Sequence, residues 1–371
     1  MDDGPMMEPS SRSGLRVLEL YSGLGGLAAA LAPACAEGVA EVVGAIDVNR
    51  DALDVYGRNF PRHPRTVALI ESLSARRLAS FEADLWWASP PCQPFTRRGL
   101  RRDLHDPRAA TFRALVERIE GVKPRYLALE NVAPFESSDA RDLLLGALER
   151  AGYESVVEQV LCPSELGVPN RRPRYYLLAS RGGVLQNDAF ESPSTSREGK
   201  RLAHYVTADA LEQDGLLLDE EQAWRYRHAI HIVEAHDPDA VTTCFTSAYG
   251  RSPVRSGSYL ATEHGPRRFS PAEVLRLLGF PASFDLGKVS TKKSWRLAGN
   301  SLSIPAVRHV LSRIPELSRA LVEDDYGAQN SKSSSTEMPR THFEQRQGSR
   351  RGMTRRTGPP SLRVSGRPST S

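Results

Sequence analysis

The sequence predicts an α/β protein: a mostly parallel, doubly wound sheet with a smaller lobe set into its C-terminal half. Two observations predict it. Between Leu15 and Ser180, short apolar runs alternate with helical stretches, the βαβα rhythm of a parallel sheet. Several of those runs are apolar almost without a break, as expected of strands covered on both faces.

The elements follow in order. LRVLELY (15–21) is a strand, SGLGGLAAALAPACAEG (22–38) its turn and helix, VAEVVGAIDV (39–48) the next strand and DALDVYGRNF (51–60) the next helix. TVALI (66–70) and ADLWWAS (83–89) continue the strands, FRALVERIEGV (112–122) is helical, and RYLALEN (125–131) is a strand whose Tyr126 to Leu129 are apolar. The amphipathic SSDARDLLLGALERAG (137–152) precedes two more strands, ESVVEQVL (154–161) and RYYLLAS (174–180). Residues 181–200 are polar and rich in Gly, Ser and Pro, and 201–265 lacks the earlier rhythm, so 181–265 reads as a separate lobe following a catalytic domain of residues 15–180. Helical periodicity returns in SPAEVLRLLGF (270–280), with Ser270 as N-cap and Glu273 at the capping-box position, and in IPAVRHVLSRI (304–314). Residues 266–327 are therefore read as a return to the first domain. Residues 1–14 are expected to be flexible, and 328–371, filled with Ser, Thr, Arg, Gly and Pro, to be a disordered basic tail.

Charge sits unevenly on the 371 residues. The tail holds nine Lys/Arg against Glu337 and Glu344, a net of +7, so the overall +4 leaves about −3 on the rest. Any nucleic-acid contact by the body must come from a local patch. The tail's Arg350, Arg351, Arg355 and Arg356 suit a nuclear signal, an RNA-contacting arm or simply a solvated tail. Four cysteines, 57, 70 and 82 residues apart, form no C-x-x-C pair and no disulfide framework, which points to a reduced compartment. No signal peptide and no membrane-length apolar run occur, so the expectation is a cytoplasmic or nuclear protein, neither secreted nor membrane-bound.

The chemistry-bearing residues gather at predicted strand ends. The turn Ser22-Gly23-Leu24-Gly25-Gly26 brings backbone close to a ligand at a helix N-terminus, and Asp47 ends the second strand where a carboxylate can hold a ribose. Dinucleotide enzymes, adenosylmethionine enzymes and plain helix capping all use such a turn, so alone it leaves the ligand open. Ser89-Pro90-Pro91-Cys92-Gln93-Pro94-Phe95 is more specific: two prolines stiffen a loop at the carboxyl end of a parallel strand and present Cys92 as a nucleophile. A free thiol is mostly protonated near neutrality, and Arg172 and Arg174 offer it positive charge. Glu130 ends its strand at the same sheet edge. His228, His231 and His236 have helical spacing but no carboxylate or cysteine at ligand spacing, so no metal is expected. Cys244 is read as packing within the small lobe, with a second reactive thiol as the alternative.

Seven blocks, ELYSGLGG, AIDVN, SPPCQPF, ENV, NRRPR, RFSPAEVLRLLGFP and GNSLSIPAV, stand in the order found in the cytosine carbon-5 methyltransferase family. The chain resembles that family from Leu15 to about Ser312. Thr243-Cys244-Phe245-Thr246 with Tyr249-Gly250 further resembles the Cys-Phe-Thr signature of a branch that is related to DNA methyltransferases but acts on cytosine 38 in the anticodon loop of aspartate tRNA. Asn170 stands where many DNA enzymes carry glutamine, as in that branch.

The resemblance implies a Rossmann-like class I methyltransferase with a target-recognition lobe, and a mechanism. Cys92 adds to carbon 6 of cytosine, Glu130 binds or protonates ring nitrogen 3, carbon 5 takes the methyl of S-adenosylmethionine, and β-elimination frees Cys92. Arg172 and Arg174 position the base and its phosphate. The implied cofactor residues are Tyr21, Ser22, Gly23, Leu24, Gly25, Gly26, Asp47, Val48, Ile70, Glu71, Pro91, Asn300 and Ser301. The implied substrate contacts are Gln93, Asn131, Cys244, Phe245 and Thr246, together with Arg97 and Arg98, which with Arg101 and Arg102 otherwise read as an ordinary solvated loop. The implied partner is tRNA, aspartate tRNA first, with DNA as a weak second substrate. A DNA cytosine methyltransferase and a catalytically silent nucleic-acid-binding homologue remain the competing readings.

Overall fold

Strand periodicity decides the architecture. The computed structural model describes residues 14–91, 109–186, 200–207 and 215–322. Seven strands form its central sheet: β1 (Leu15–Leu20), β2 (Ala40–Asp47), β3 (Arg65–Val67), β4 (Leu85–Ala88), β5 (Tyr126–Val132), β6 (Ser155–Leu161) and, after the two-residue β7 (Asn170–Arg171), β8 (Arg174–Ser180). Their order is β3-β2-β1-β4-β5-β8-β6, parallel from β3 through β5, with β8 antiparallel to both neighbours. Side chains alternate between two apolar layers, as the period of two requires. Val17, Trp87, Ala128 and Leu178 join the layer with α1 (Gly26–Ala36), whereas Leu18, Trp86, Leu127 and Leu177 join Leu78 of α3 (Ala75–Ala79), α4 (Ala109–Val122) and α5 (Asp139–Ala151). The helix between β2 and β3, α2 (Arg50–Asn59), is capped by Asn49, whose side chain accepts from the Ala52 N–H at 3.4 Å.

The β2-to-β3 region departs from expectation. TVALI is not a full strand: β3 stops at Val67, and Ile70–Ser72 forms a 3-10 turn. β3 is an edge strand with little burial, so little apolar gain extends it, and the turn instead buries Ile70 under the sheet.

Beyond β8 the chain forms α6 (Glu220–Tyr226) and a three-stranded sheet of β9 (His231–Val233), β11 (Ser258–Thr262) and β12 (Gly265–Arg268), while β10 (Thr242–Thr243) pairs with β7. Phe245, Tyr249 and Tyr259 from this stretch lie in the same apolar layer as Trp87 and Leu27. The last helices are α7 (Pro271–Leu277), α8 (Thr291–Gly299), α9 (Ile304–Leu311) and α10 (Pro315–Val322). The layer holding α1 also holds Ile304, Val307 and Leu311 of α9, and Arg308 donates from Nε to the Ala30 carbonyl at 3.1 Å. Among the described residues no helix is long and apolar enough to cross a membrane.

The topology therefore brings the carboxyl ends of β1, β2, β4 and β5 to one edge. Because β8 runs the other way, its first residue, Arg174, starts at that edge, opposite Val132.

Candidate active site

Strand β1 leads into the glycine-rich turn through Tyr21, at φ 59°. The Ser22 N–H donates to the Ile46 carbonyl at 3.0 Å and the Gly23 N–H to Asp47 Oδ2 at 2.8 Å. Asp47 Oδ1 accepts from the Asn49 N–H at 2.7 Å. Asp47 thus fixes the turn and still has acceptor capacity, a carboxylate having about four lone-pair sites. Gly25, at φ 97°, requires glycine twice over, since a Cβ there would lie 2.7 Å from the Phe60 ring. A Cβ on Gly26 would lie 2.9 Å from Leu302, so the block containing Asn300 and Ser301 closes directly over the start of α1. Space in front of Gly23 is open, with no atom within 4 Å of an added Cβ.

Beneath the turn lies a group that sequence reasoning missed. Glu19 is buried; Oε1 accepts from the Leu27 N–H at 3.3 Å and Oε2 from the Tyr56 hydroxyl at 3.1 Å. Burial pushes its carboxyl up to about 8. Tyr56 also meets His63 Nδ1 at 3.0 Å. The available signal was a carboxylate inside the apolar run LRVLELY.

At the ends of β4 and β5, Asn131 is buried and donates from Nδ2 to the Pro90 carbonyl at 3.3 Å, while its Oδ1 accepts from the Val132 N–H at 2.9 Å. It holds the backbone just before the cysteine of the Pro-rich motif. Pro91 is exposed. Cys92, Gln93, Arg97 and Arg98, with Arg101 and Arg102, lie outside the described residues, as do residues 1–13 and the basic tail.

Glu130 and Arg174 pair at 3.2 Å, the two side chains 12% and 15% exposed, so the pair is largely shielded from water. The register explains the contact: Arg174 lies opposite Val132 and diagonal to Glu130 on the same face. Burial raises the Glu130 carboxyl above its ordinary value, and the Arg174 and Arg172 charges cancel only part of that rise. A carboxyl in this condition holds its proton closer to neutrality and can donate to a ring nitrogen.

Arg172 is a pin rather than a free cation. It is buried; Nη1 donates to the Phe245 carbonyl at 3.0 Å, and Nη2 to the carbonyls of Ser301 at 2.5 Å and Gly299 at 3.3 Å. Its backbone N–H points to the sulfur of buried Cys162 at 3.2 Å. Cys244 does not merely pack the lobe. Its sulfur lies 3.3 Å from Arg172 Nη1 and 3.6 Å from Arg174 Nη2. Burial pushes that thiol up, but the two guanidinium charges outweigh it and leave the thiol below its ordinary value. Phe245 is buried edge-on against Tyr249 and Phe269, and Thr246 opens a turn by accepting from the Tyr249 N–H at 3.0 Å. The site thus joins β5, β8, the Cys-Phe-Thr turn and the Gly299–Ser301 segment around one pair of arginines.

Residues 15–316 match the family described as C-5 cytosine-specific DNA methylase. The chain belongs to this family. Among relatives, the tRNA (cytosine(38)-C(5))-methyltransferase of Schizosaccharomyces pombe is 34% identical, covering 81% of this chain and 97% of its own. The human protein of the same name is 31% identical, covering 84% and 100%. The crystal structure of the S. pombe Dnmt2 methyltransferase superposes with a TM-score of 0.71 at 32% identity, over 82% of this chain and 99% of that one. The sheet and its helices are therefore a Rossmann-like cytosine-5 methyltransferase fold.

A methyltransferase of this family needs room for its methyl donor, and the residues present fit one. Three buried polar atoms, the Tyr21 hydroxyl, Ser22 Oγ and Glu71 Oε2, have no partner among the described residues and lie in or near the open glycine turn. Tyr21 is electrostatically coupled to Glu71 and Asp47, which with burial raise its phenol. Glu71 Oε1 is taken by the Thr111 hydroxyl at 2.9 Å, a support from α4 that the sequence did not reveal. Ile70 and Leu24 are buried packing beneath these groups, Val48 is 57% exposed, and Asn300 is exposed at the end of α8. Of the three histidines, His231 meets Ser258 Oγ through Nδ1 at 2.8 Å, and no group of metal-ligating side chains occurs among the described residues.

Proposed function

We propose that the chain methylates carbon 5 of cytosine 38 in the anticodon loop of aspartate tRNA, through a covalent adduct between Cys92 and carbon 6. The observation that carries this reading is the shielded Glu130–Arg174 pair at the edge where Asn131 holds the Pro90 carbonyl, two residues before Cys92. Relatives named for methylation of cytosine 38 in tRNA support the substrate class.

Carbon 5 of cytosine is a weak nucleophile, so the chain's residues must make it electron-rich. Cys92, as thiolate, adds to carbon 6, while Glu130, whose carboxyl burial raises above its ordinary value, donates a proton to nitrogen 3 and takes up the charge that the addition creates. Arg174 orients Glu130, and Arg172 holds the Cys-Phe-Thr turn and the Gly299–Ser301 segment against it. Tyr21 to Gly26, Asp47, Ile70, Glu71 and Ser301 would hold S-adenosylmethionine, which when bound supplies the electrophilic methyl group. Loss of the carbon 5 proton then allows β-elimination to release Cys92. An anticodon loop presents its bases unpaired, which lowers the cost of taking one out of its stack. Residues 15–180 and 266–327 serve as the catalytic domain in this reading, 181–265 as the target-recognition lobe, and the substrate puts the activity in the cytoplasm or nucleus.

Transfer of labelled methyl from S-adenosylmethionine is measured in parallel to aspartate tRNA, to the same tRNA with uridine at position 38, and to duplex DNA. Labelling confined to the cytosine 38 tRNA is expected. Labelling of duplex DNA alone would overturn the tRNA assignment, and no labelling of any substrate would leave a silent binding homologue.

A further inference from the structure

A second surface feature lies apart from the Glu130–Arg174 pair. Arg225 and Tyr226 of α6, Arg251, Arg268 at the end of β12 and Lys292 of α8 line a groove of about 450 Å³ together with Gln222. Among the described residues no carboxylate lines it. Arg225 is ion-paired with Glu221, whereas Arg251, Arg268 and Lys292 have no salt bridge among the described residues. Arg268 is held in place from two sides: its guanidinium lies 6.0 Å from the centre of the Trp295 ring and donates to Gln222 Oε1 at 3.3 Å. Its Nε is buried with no partner among the described residues. Arg225, Arg251 and Lys292 are exposed. With only Arg225 neutralised, the remaining cations repel one another, and the natural complement is a chain of anions.

Two elements tie this groove to the arginine pair. Arg251 follows Cys244 by seven residues, which limits their separation to about 25 Å. The intervening turn lies flat on Trp295, since a Cβ on Gly250 would come within 2.3 Å of that ring. Lys292 lies seven residues before Gly299 on α8, roughly 10 Å along the helix, and the Gly299 carbonyl accepts from Arg172. The groove and the arginine pair are thereby joined through α8 and the turn packed on Trp295.

We infer that this groove binds the phosphate backbone of the tRNA substrate beside the nucleotide being methylated, with Tyr226 offering an aromatic face to an unstacked base. The inference rests on the reading of the chain as a tRNA methyltransferase.

The test compares the full-length wild type, the double variant Arg251→Gln/Lys292→Gln, the milder Arg225→Gln, and Arg62→Gln as an exposed arginine outside the groove. Binding of aspartate tRNA, duplex DNA and polyglutamate is titrated over a range of salt, alongside melting temperature and the kinetics of methyl transfer. The double variant should melt like wild type and bind tRNA about tenfold more weakly, with a salt slope smaller by about 1.5. Its kinetic loss should appear in KM rather than kcat, Arg225→Gln should show a smaller loss, and Arg62→Gln should show none. Unchanged tRNA affinity and slope in the double variant, with methyl transfer by wild type intact, would remove the groove and leave the function. Absence of methyl transfer by wild type, with tRNA binding still dependent on Arg251 and Lys292, would do the reverse. An equal loss of polyglutamate binding would overturn the RNA assignment in favour of an acidic protein partner.

Discussion

Glu130 is useful because it is buried in the right company. Removed from water and only partly compensated by Arg174 and Arg172, its carboxyl is held above the ordinary glutamate value. Glu130→Gln keeps the shape but loses the ability to take up charge, so methyl transfer should fall by about 10²–10⁴-fold, as single-turnover rates check. Glu19 carries a different liability. Its carboxyl, pushed from 4.5 to about 8 by burial, contributes stability that is fully present below about pH 4.5 and is lost as pH rises through about 8. Glu19→Gln has nothing to ionise, so its stability relative to wild type should climb between those limits by on the order of 4 kcal/mol. Denaturant titrations near pH 5, 7 and 8.5 measure that difference, and parallel pH curves for the two proteins would refute it.

At the scale of elements, local rules written in the sequence were obeyed where the interactions are local. Ser270 caps α7: its side chain accepts from the Glu273 N–H at 3.2 Å, and Glu273 Oε2 returns a bond from the Ser270 N–H at 2.7 Å. What the motif did not reveal is that Glu273 also forms a fully buried pair with Arg267 at 2.8 Å, a contact set by β12 rather than by the helix. Ser270→Ala should therefore cost about 1 kcal/mol, seen as a lowered melting temperature with methyl transfer intact. The glycine turn is the opposite case, where local geometry is tied to function. Gly25→Ala forces a side chain into the left-handed region and against Phe60. It should cost on the order of 1–3 kcal/mol and weaken binding of S-adenosylmethionine in a calorimetric titration, because the strain is relieved by moving the turn. TVALI has the apolar content of a full strand, but apolar content says nothing about whether a neighbour exists to pair with, and β3 lies at the sheet edge.

At the scale of the whole molecule, the mostly parallel sheet and the family were legible because each motif sits at a strand end and parallel topology gathers those ends. The arginine centre was not. Arg172 bonds to carbonyls 73, 127 and 129 residues away, and Cys244 meets it across 72. No periodicity or spacing encodes such distances; only the closure of α8 and the Cys-Phe-Thr turn over β8 creates them. The same closure commits Cys244 to the arginines, and the proposed nucleophile is Cys92, which follows in sequence the Pro90 whose carbonyl Asn131 holds. The most direct test of this division is covalent trapping with aspartate tRNA carrying 5-fluorocytosine at position 38, in the presence of S-adenosylmethionine. Fluorine in place of the carbon 5 proton blocks elimination, so the adduct persists on a denaturing gel. Wild type and Cys244→Ala should give a shifted protein–RNA band, and Cys92→Ala none. A band that survives in Cys92→Ala, or that vanishes only when Cys244 is replaced, would contradict the account.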